Sequence, residues 1–340
     1  MLQLTGQYNK ILHQLAIYCR QHRVLENLAK NTDFNIQCDF PAENSPFLLD
    51  NESEYQHWKK VKLERYSHYN PNKIIKIQDP ANFSRATLGE FEVQLQTFNF
   101  AFYEIDAAAG ALSTHEFLAI GRQLGLNRID ANLCAEADGV TRLSVVDAAD
   151  KRARYIPYTA RALNWHTDGY YNPMSSRIDA FSLYCVNQAG QGGDNFILDH
   201  EMVYMQIRDT DEELLMALMD PGVMVVPANI SNKQVVRQAE TGPVFIVDSE
   251  TGRLNMRYSA RPQNIGWKTH ALSIRAINLV RELLMDNEYV AKHKLRSGQG
   301  IVCNNVLHGR RAFVDGSAGE PSRLYYRARY YDAITFPDDL

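Results

Sequence analysis

The spacing of apolar positions changes character along the chain. Near its start Ile11, Leu12, Leu15, Tyr18, Cys19, Leu25 and Leu28 recur at helical intervals, with Lys10, Gln14, Arg20 and Arg23 between them. A polar, loop-like stretch follows to about Ser53. Then comes the charged run Trp58-Lys59-Lys60-Val61-Lys62-Leu63-Glu64-Arg65, which reads as a solvated helix face. Residues 1–90 are expected to form a helical extension that covers the main domain or makes a homodimer contact, and 91–340 the main domain.

From Phe98 onward the pattern is that of short strands. Phe98-Asn99-Phe100-Ala101-Phe102-Tyr103 predicts one, and further runs fall at 142–146, 177–186, 195–198, 222–226, 244–247, 254–258, 300–302 and 324–331. A short amphipathic helix is expected at 115–124 and two helical insertions near 201–219 and 273–285. Many short strands punctuated by Gly, Asn and Asp predict a mainly β fold with flanking helices, an antiparallel sandwich or jelly roll of the cupin kind. The strands do not alternate regularly with helices, and neither GxGxxG nor a P-loop occurs, which argues against a nucleotide-binding parallel sheet.

Composition narrows the function classes. With 45% apolar and 22% charged residues in 340, the chain is that of a folded protein. Its 36 basic and 40 acidic residues, a net charge of −4, argue against a nucleic-acid partner. The 5 cysteines (Cys19, Cys38, Cys134, Cys185 and Cys303) are scattered without a CxxC pair, which fits a reducing compartment better than a disulfide framework. The opening segment has no continuous apolar core and no stretch approaches the roughly 20 apolar residues of a membrane span, so a cytoplasmic location is expected.

The chemistry concentrates in Asn164-Trp165-His166-Thr167-Asp168-Gly169. In an extended strand, residues i and i+2 point to one face, so His166 and Asp168 can present an imidazole and a carboxylate to one point. Leu307-His308-Gly309-Arg310 offers a third ligand. Two histidines and one carboxylate leave three positions of a metal open, the arrangement favoured by non-haem Fe(II) oxygenases. Downstream, Arg323, Tyr325, Arg327 and Arg329 share one strand face, where a planar guanidinium suits bidentate recognition of a dicarboxylate.

These landmarks, with Tyr158-Thr159, Gly192-Gly193-Asp194-Asn195 and Asn305-Val306 before the second histidine, make the chain from Phe98 onward resemble the Fe(II)/2-oxoglutarate-dependent dioxygenases of the taurine dioxygenase and γ-butyrobetaine hydroxylase type. The resemblance implies a double-stranded β-helix with Fe(II) held by His166, Asp168 and His308. It implies that Arg323 grips the distal carboxylate of 2-oxoglutarate, that Asn195 assists where the family often has Thr or Ser, and that Arg327 approaches the co-substrate or an acidic substrate group. With O2 as oxidant, the implied products are a hydroxylated substrate, succinate and CO2.

For the substrate, Tyr158, Tyr170, Tyr171, Asn255 and Arg257 are the candidate contacts, and a small polar metabolite with an anionic group is expected. A betaine or amino-acid hydroxylase of the γ-butyrobetaine type is the alternative, although Leu143-Ser144-Val145-Val146 stands where further aromatic cage residues are expected and only Cys19 and Cys38 lie in the amino-terminal region. A cupin-like metal-binding sensor without turnover, or a metalloenzyme using no 2-oxoglutarate, stays open.

Overall fold

The computed structural model describes residues 43–105, 112–132, 134–231, 234–261, 265–316 and 321–336. The helix expected near Ile11, with Cys19 and Cys38, lies outside them.

Two sheets face each other as a jelly roll. The larger contains β1 (Ile74–Ile77), β2 (Phe100–Ile105), β3 (Thr141–Leu143), β5 (Ala180–Asn187), β8 (Gln299–Cys303) and β10 (Leu324–Tyr330), in the order β1-β2-β8-β5-β10-β3. The smaller contains β4 (Leu163–His166), β6 (Asn195–Leu198), β7 (Ala291–His293) and β9 (Leu307–Arg310), in the order β7-β6-β9-β4. All pairs are antiparallel except β1 with β2.

The larger sheet is covered on both faces. Phe100, Phe102, Phe181, Ile301, Cys303 and Tyr325 point inward with Ile197 of the opposite sheet. Ala101, Tyr103, Tyr184 and Val302 point outward against Phe91 and Leu95 of α2 (Arg85–Phe98) and Phe117 and Ile120 of α3 (Thr114–Gln123). Burial on both sides explains why β2 reads as an unbroken apolar run.

The remaining helices pack together beside the smaller sheet: α1 (Glu52–His68), α4 (His200–Thr210), α5 (Glu212–Leu218) and α6 (Ala271–Met285). The insertion expected at 201–219 is two helices, because Asp211 takes an extended conformation and its carboxylate caps the second through Glu213 N. Among the described residues no helix is long and apolar enough to cross a membrane.

Residues 43–90 are tied into this core. β1 pairs with β2, and residue 90 falls within α2, whose end is set by Asn99 in the left-handed conformation. Phe98 therefore belongs to the helix, and the strand begins at Phe100.

The charged run on α1 is not wholly solvated. Lys62 is buried, with Nζ 2.7 Å from Asp199 Oδ2 and 2.5 Å from Glu201 Oε2. Burial alone would lower the ammonium pKa, but the two carboxylates outweigh it and raise it. Asp199 also accepts from Tyr66 Oη, Asn99 Nδ2 and Glu201 N. This buried network bolts α1 to the start of α4, and periodicity cannot distinguish such a lysine from an exposed one.

Lys62→Met removes the cation and leaves Asp199 charged and buried. Urea unfolding is expected to show a loss of about 3–5 kcal/mol, partly recovered in the Lys62→Met/Asp199→Asn double variant.

Candidate metal centre

β4 and β9 lie side by side with His166 opposite His308, their ring centroids 4.2 Å apart. The approach requires Gly309: a Cβ there would meet Phe196 Cε2 at 2.2 Å and the Leu163 carbonyl at 2.7 Å. Trp165 anchors β4 by donating Nε1–H to the Leu284 carbonyl at 2.9 Å.

Asp168 leaves the strand in a turn and brings Oδ1 to 3.8 Å from His166 Nε2. One ligand atom each from His166, Asp168 and His308 lies within 4.8 Å of the others. Each imidazole Nδ1 is 2.9 Å from the carbonyl two residues earlier, Asn164 for His166 and Val306 for His308. In a neutral ring this bond places the proton on Nδ1 and leaves the Nε2 lone pair free.

The electrostatics favour those states. Burial, reinforced by His308, lowers the His166 pKa to about 3, and burial lowers His308 against the pull of Asp168. For Asp168 burial pushes the carboxyl up, but Arg327 and then Arg329 outweigh it and hold it well below the usual carboxylate range. Its Oδ2 is buried without a hydrogen-bond partner among the described residues. Two neutral imidazole nitrogens and an ionised carboxylate with an unpartnered oxygen form a donor set that fits Fe(II).

The main chain at Asp168 is gripped by Asn305. Its Oδ1 accepts from Asp168 N at 2.7 Å, and its Nδ2 donates to the carbonyls of Asp168 and Ile178 at 2.9 and 2.6 Å. Asn305 adopts φ 37°, a left-handed conformation that asparagine tolerates better than most residues. The sequence motif contains Asn305 without disclosing this role; consecutive asparagines before a strand were the available signal.

The arginines divide into two groups. Arg327 places Nη1 3.4 Å from Asp168 Oδ1, and Arg329 is buried between Asp130 and Tyr171 Oη. Just before β10 and at the end of β9, buried Arg323 and Arg310 lie on the same ring, Phe313, at 4.9 and 4.5 Å, and Arg323 also lies 3.9 Å over Tyr325. Burial and then the Arg323 charge lower Arg310 to about 9, and burial lowers Arg323. Arg310 was not singled out from the sequence. Asn195 pairs with it in the β6–β9 register, its own amide 3.4 Å from the His293 carbonyl.

The expected substrate contacts are spread around this centre. Tyr158 is buried beneath Arg152, 5.4 Å over its ring. Tyr170 packs edge-on to Tyr171 in the helical core, and Tyr171 Oη accepts from Arg329 Nη1 at 2.7 Å. Asn255 and Arg257 line one cavity with Asp168.

A family model described as "Taurine catabolism dioxygenase TauD, TfdA family" matches residues 68–328. A uridine-5'-phosphate dioxygenase from Amycolatopsis sp. is 30% identical over 50% of this chain and 61% of its own length, so that match spans less than two thirds of that relative. One from Streptomyces sp. is 28% identical over 72% of this chain and 89% of its own. Among solved structures, a putative α-ketoglutarate-dependent taurine dioxygenase from Burkholderia xenovorans superposes with TM-score 0.52 at 16% identity, covering 77% of this chain and 89% of its own. An asparagine oxygenase in complex with Fe(II), 2S,3S-3-hydroxyasparagine and succinate gives 0.51 at 13%, covering 87% of each chain. These two superpositions bear out the double-stranded β-helix.

Asn305→Ala is expected to weaken Fe(II) or Co(II) binding by about 10- to 100-fold, as loss of a ligand's supporting bonds commonly does, while the protein stays folded by circular dichroism. A second expectation concerns acid stability of the metal-free protein. Unfolded imidazoles titrate near 6.5, whereas His166 in the fold titrates at about 3. Between these values the unfolded chain binds more protons, so stability falls as pH drops below about 6.5. Asp168, held low, gives stability that is lost only at still lower pH, below the ordinary carboxylate range. Urea midpoints between pH 7.5 and 4.5 should decline, with a shallower slope in His166→Phe.

Proposed function

This chain belongs to the taurine catabolism dioxygenase TauD, TfdA family; from that premise we propose that it is an Fe(II)- and 2-oxoglutarate-dependent hydroxylase of a small anionic metabolite. Dioxygenase membership sets aside the sensor without turnover. The observation that carries the proposal is the convergence of two neutral imidazoles and an ionised carboxylate in a fold that also buries Arg310 and Arg323, which have no ion-pair partner among the described residues.

His166, Asp168 and His308 would hold the iron, and Arg323 the distal carboxylate of 2-oxoglutarate, with Arg310 and Asn195 alongside. Bound iron with 2-oxoglutarate supplies the activation of O2, one oxygen entering the substrate as hydroxyl and the other succinate, with release of CO2. The protein's part is to keep both imidazoles neutral by burial and set their tautomer through the Nδ1 bonds, to fix the Asp168 backbone through Asn305, and to hold Arg323 in a buried, weakly hydrated setting where a carboxylate is bound strongly. Arg327 is the second cation at the centre and can meet either the co-substrate or the substrate.

An anionic substrate is supported by the charges around Tyr158. Arg152 occupies one approach to its ring and Arg327 acts on it from nearby. A quaternary ammonium group would meet repulsion there, which disfavours the γ-butyrobetaine alternative. The two uridine-5'-phosphate dioxygenases among the relatives make uridine 5'-phosphate the first substrate to test.

The test is an anaerobic Fe(II) titration with and without 2-oxoglutarate, following the visible charge-transfer band of the chelate. His166→Ala and His308→Ala are expected to lose iron. Arg323→Ala should retain iron but weaken 2-oxoglutarate by roughly 30-fold or more. Unchanged co-substrate affinity in Arg323→Ala would overturn its assignment.

A further inference from the structure

Arg257 is a buried cation whose terminal nitrogens have no hydrogen-bond partner among the described residues. The residue is 6% exposed, and its Nε donates to the Tyr170 carbonyl at 2.6 Å. Both terminal nitrogens, Nη1 and Nη2, are buried without a hydrogen-bond partner among the described residues. Three of the other buried arginines differ. Arg208 meets the carbonyls of Pro46, Leu48 and Leu49, Arg329 meets Asp130 and Tyr171, and Arg310 meets the carbonyls of Thr159 and Arg161. An unpaired guanidinium removed from water is costly, so a fold that retains one needs a reason.

Its position supplies that reason. Ser259 pairs with His166, and the Thr167 N–H donates to the Tyr258 carbonyl at 3.0 Å. These contacts hold the segment carrying Arg257 beside the turn carrying Asp168, and Tyr258 N–H donates to Thr167 Oγ1 at 3.1 Å. Arg257 lines a cavity with Thr167, Asp168, Tyr170, Asn172 and Asn255. Space for its end is kept by Gly242, where a Cβ would stand 2.8 Å from Nη1. The Nε bond to Tyr170 fixes the plane of the fork and leaves the terminal nitrogens to present parallel N–H groups to one ligand.

We propose that Arg257 is the substrate's oxyanion clamp. Its two terminal nitrogens bind a phosphate or carboxylate group of the substrate end-on and set the distance from that group to the metal centre. The inference rests on the hydroxylase reading above and adds to it the residue that selects the anionic substrate. Arg323 lies on another segment, just before β10, so the co-substrate carboxylate and the substrate anion have separate cations.

The experiment measures binding to the Fe(II) protein saturated with 2-oxoglutarate, anaerobically, with uridine 5'-phosphate, uridine, inorganic phosphate and acetate as probes. The wild type is expected to bind at least one of the anionic probes, and Arg257→Gln to weaken it by on the order of 30-fold, with the chelate band unchanged and partial recovery in Arg257→Lys. Phosphate dependence on Arg257 identifies a phosphate site; dependence for acetate alone identifies a carboxylate site. If wild type binds none of the anionic probes, or Arg257→Gln binds them equally well, the clamp is refuted. A missing chelate band in wild type would instead overturn the hydroxylase reading, and the anion titrations would still read on Arg257. Stability gives an independent check: without ligand, Arg257→Met should resist urea at least as well as wild type. A clear loss of stability would mean that Arg257 serves the fold rather than a ligand.

Discussion

His166 and His308 oppose each other across one antiparallel strand pair, and the rest of the centre is arranged around that contact. Side chains alternate between the faces of a sheet, so a one-residue slip of β9 against β4 would turn one imidazole away from the other. Three features prevent the slip. Gly309 lets β9 approach Phe196 and the Leu163 carbonyl, the Trp165 indole ties β4 to α6, and Asn305 fastens the turn carrying Asp168 to the residues leading into β9. The third ligand is thus referenced to the same strand as the second, although it follows the first in sequence.

Around this frame the interior is strongly cationic. Arg257, Arg310, Arg323 and Arg329 are buried and Arg327 is nearly so, whereas the chain as a whole carries a net charge of −4. Net charge describes the solvated surface and is silent about a centre from which water is excluded. Inside, Arg327 and Arg329 keep Asp168 ionised despite its burial, and the other guanidinium groups leave positive charge over for anionic ligands.

The jelly roll and the clustering of His166, Asp168 and His308 were legible because their signals are local: short apolar runs between turn residues and His-x-Asp at strand spacing. Elements whose limits depend on a single backbone conformation were less so. Phe98 is apolar and adjoins a strand, yet Asn99 closes a helix on it. Lys62 stands among lysines in a charged run, and only the carboxylates of Asp199 and Glu201, remote in sequence, account for its burial. Arg310 and Asn305 lay inside a recognised motif, but their work depends on Phe313 and on the Asp168 backbone, neither of which spacing reveals.

Lys62 and Arg257 show two treatments of one physical problem. Each places a full positive charge where water does not reach. At Lys62 the fold surrounds the charge with two carboxylates, and the resulting network has no valence left for a ligand. At Arg257 one nitrogen is tied to a carbonyl, Gly242 keeps space for the others, and among the described residues no acidic side chain pairs with it, Glu240 acting only from a distance. The first arrangement gains stability from complete pairing. The second forgoes it, and a desolvated, preoriented guanidinium binds an incoming oxyanion more strongly than a hydrated one, because little ordering is left to do. Incomplete pairing beside a metal centre is therefore the physical signature of a ligand site, whereas complete pairing at the same depth is that of a structural one.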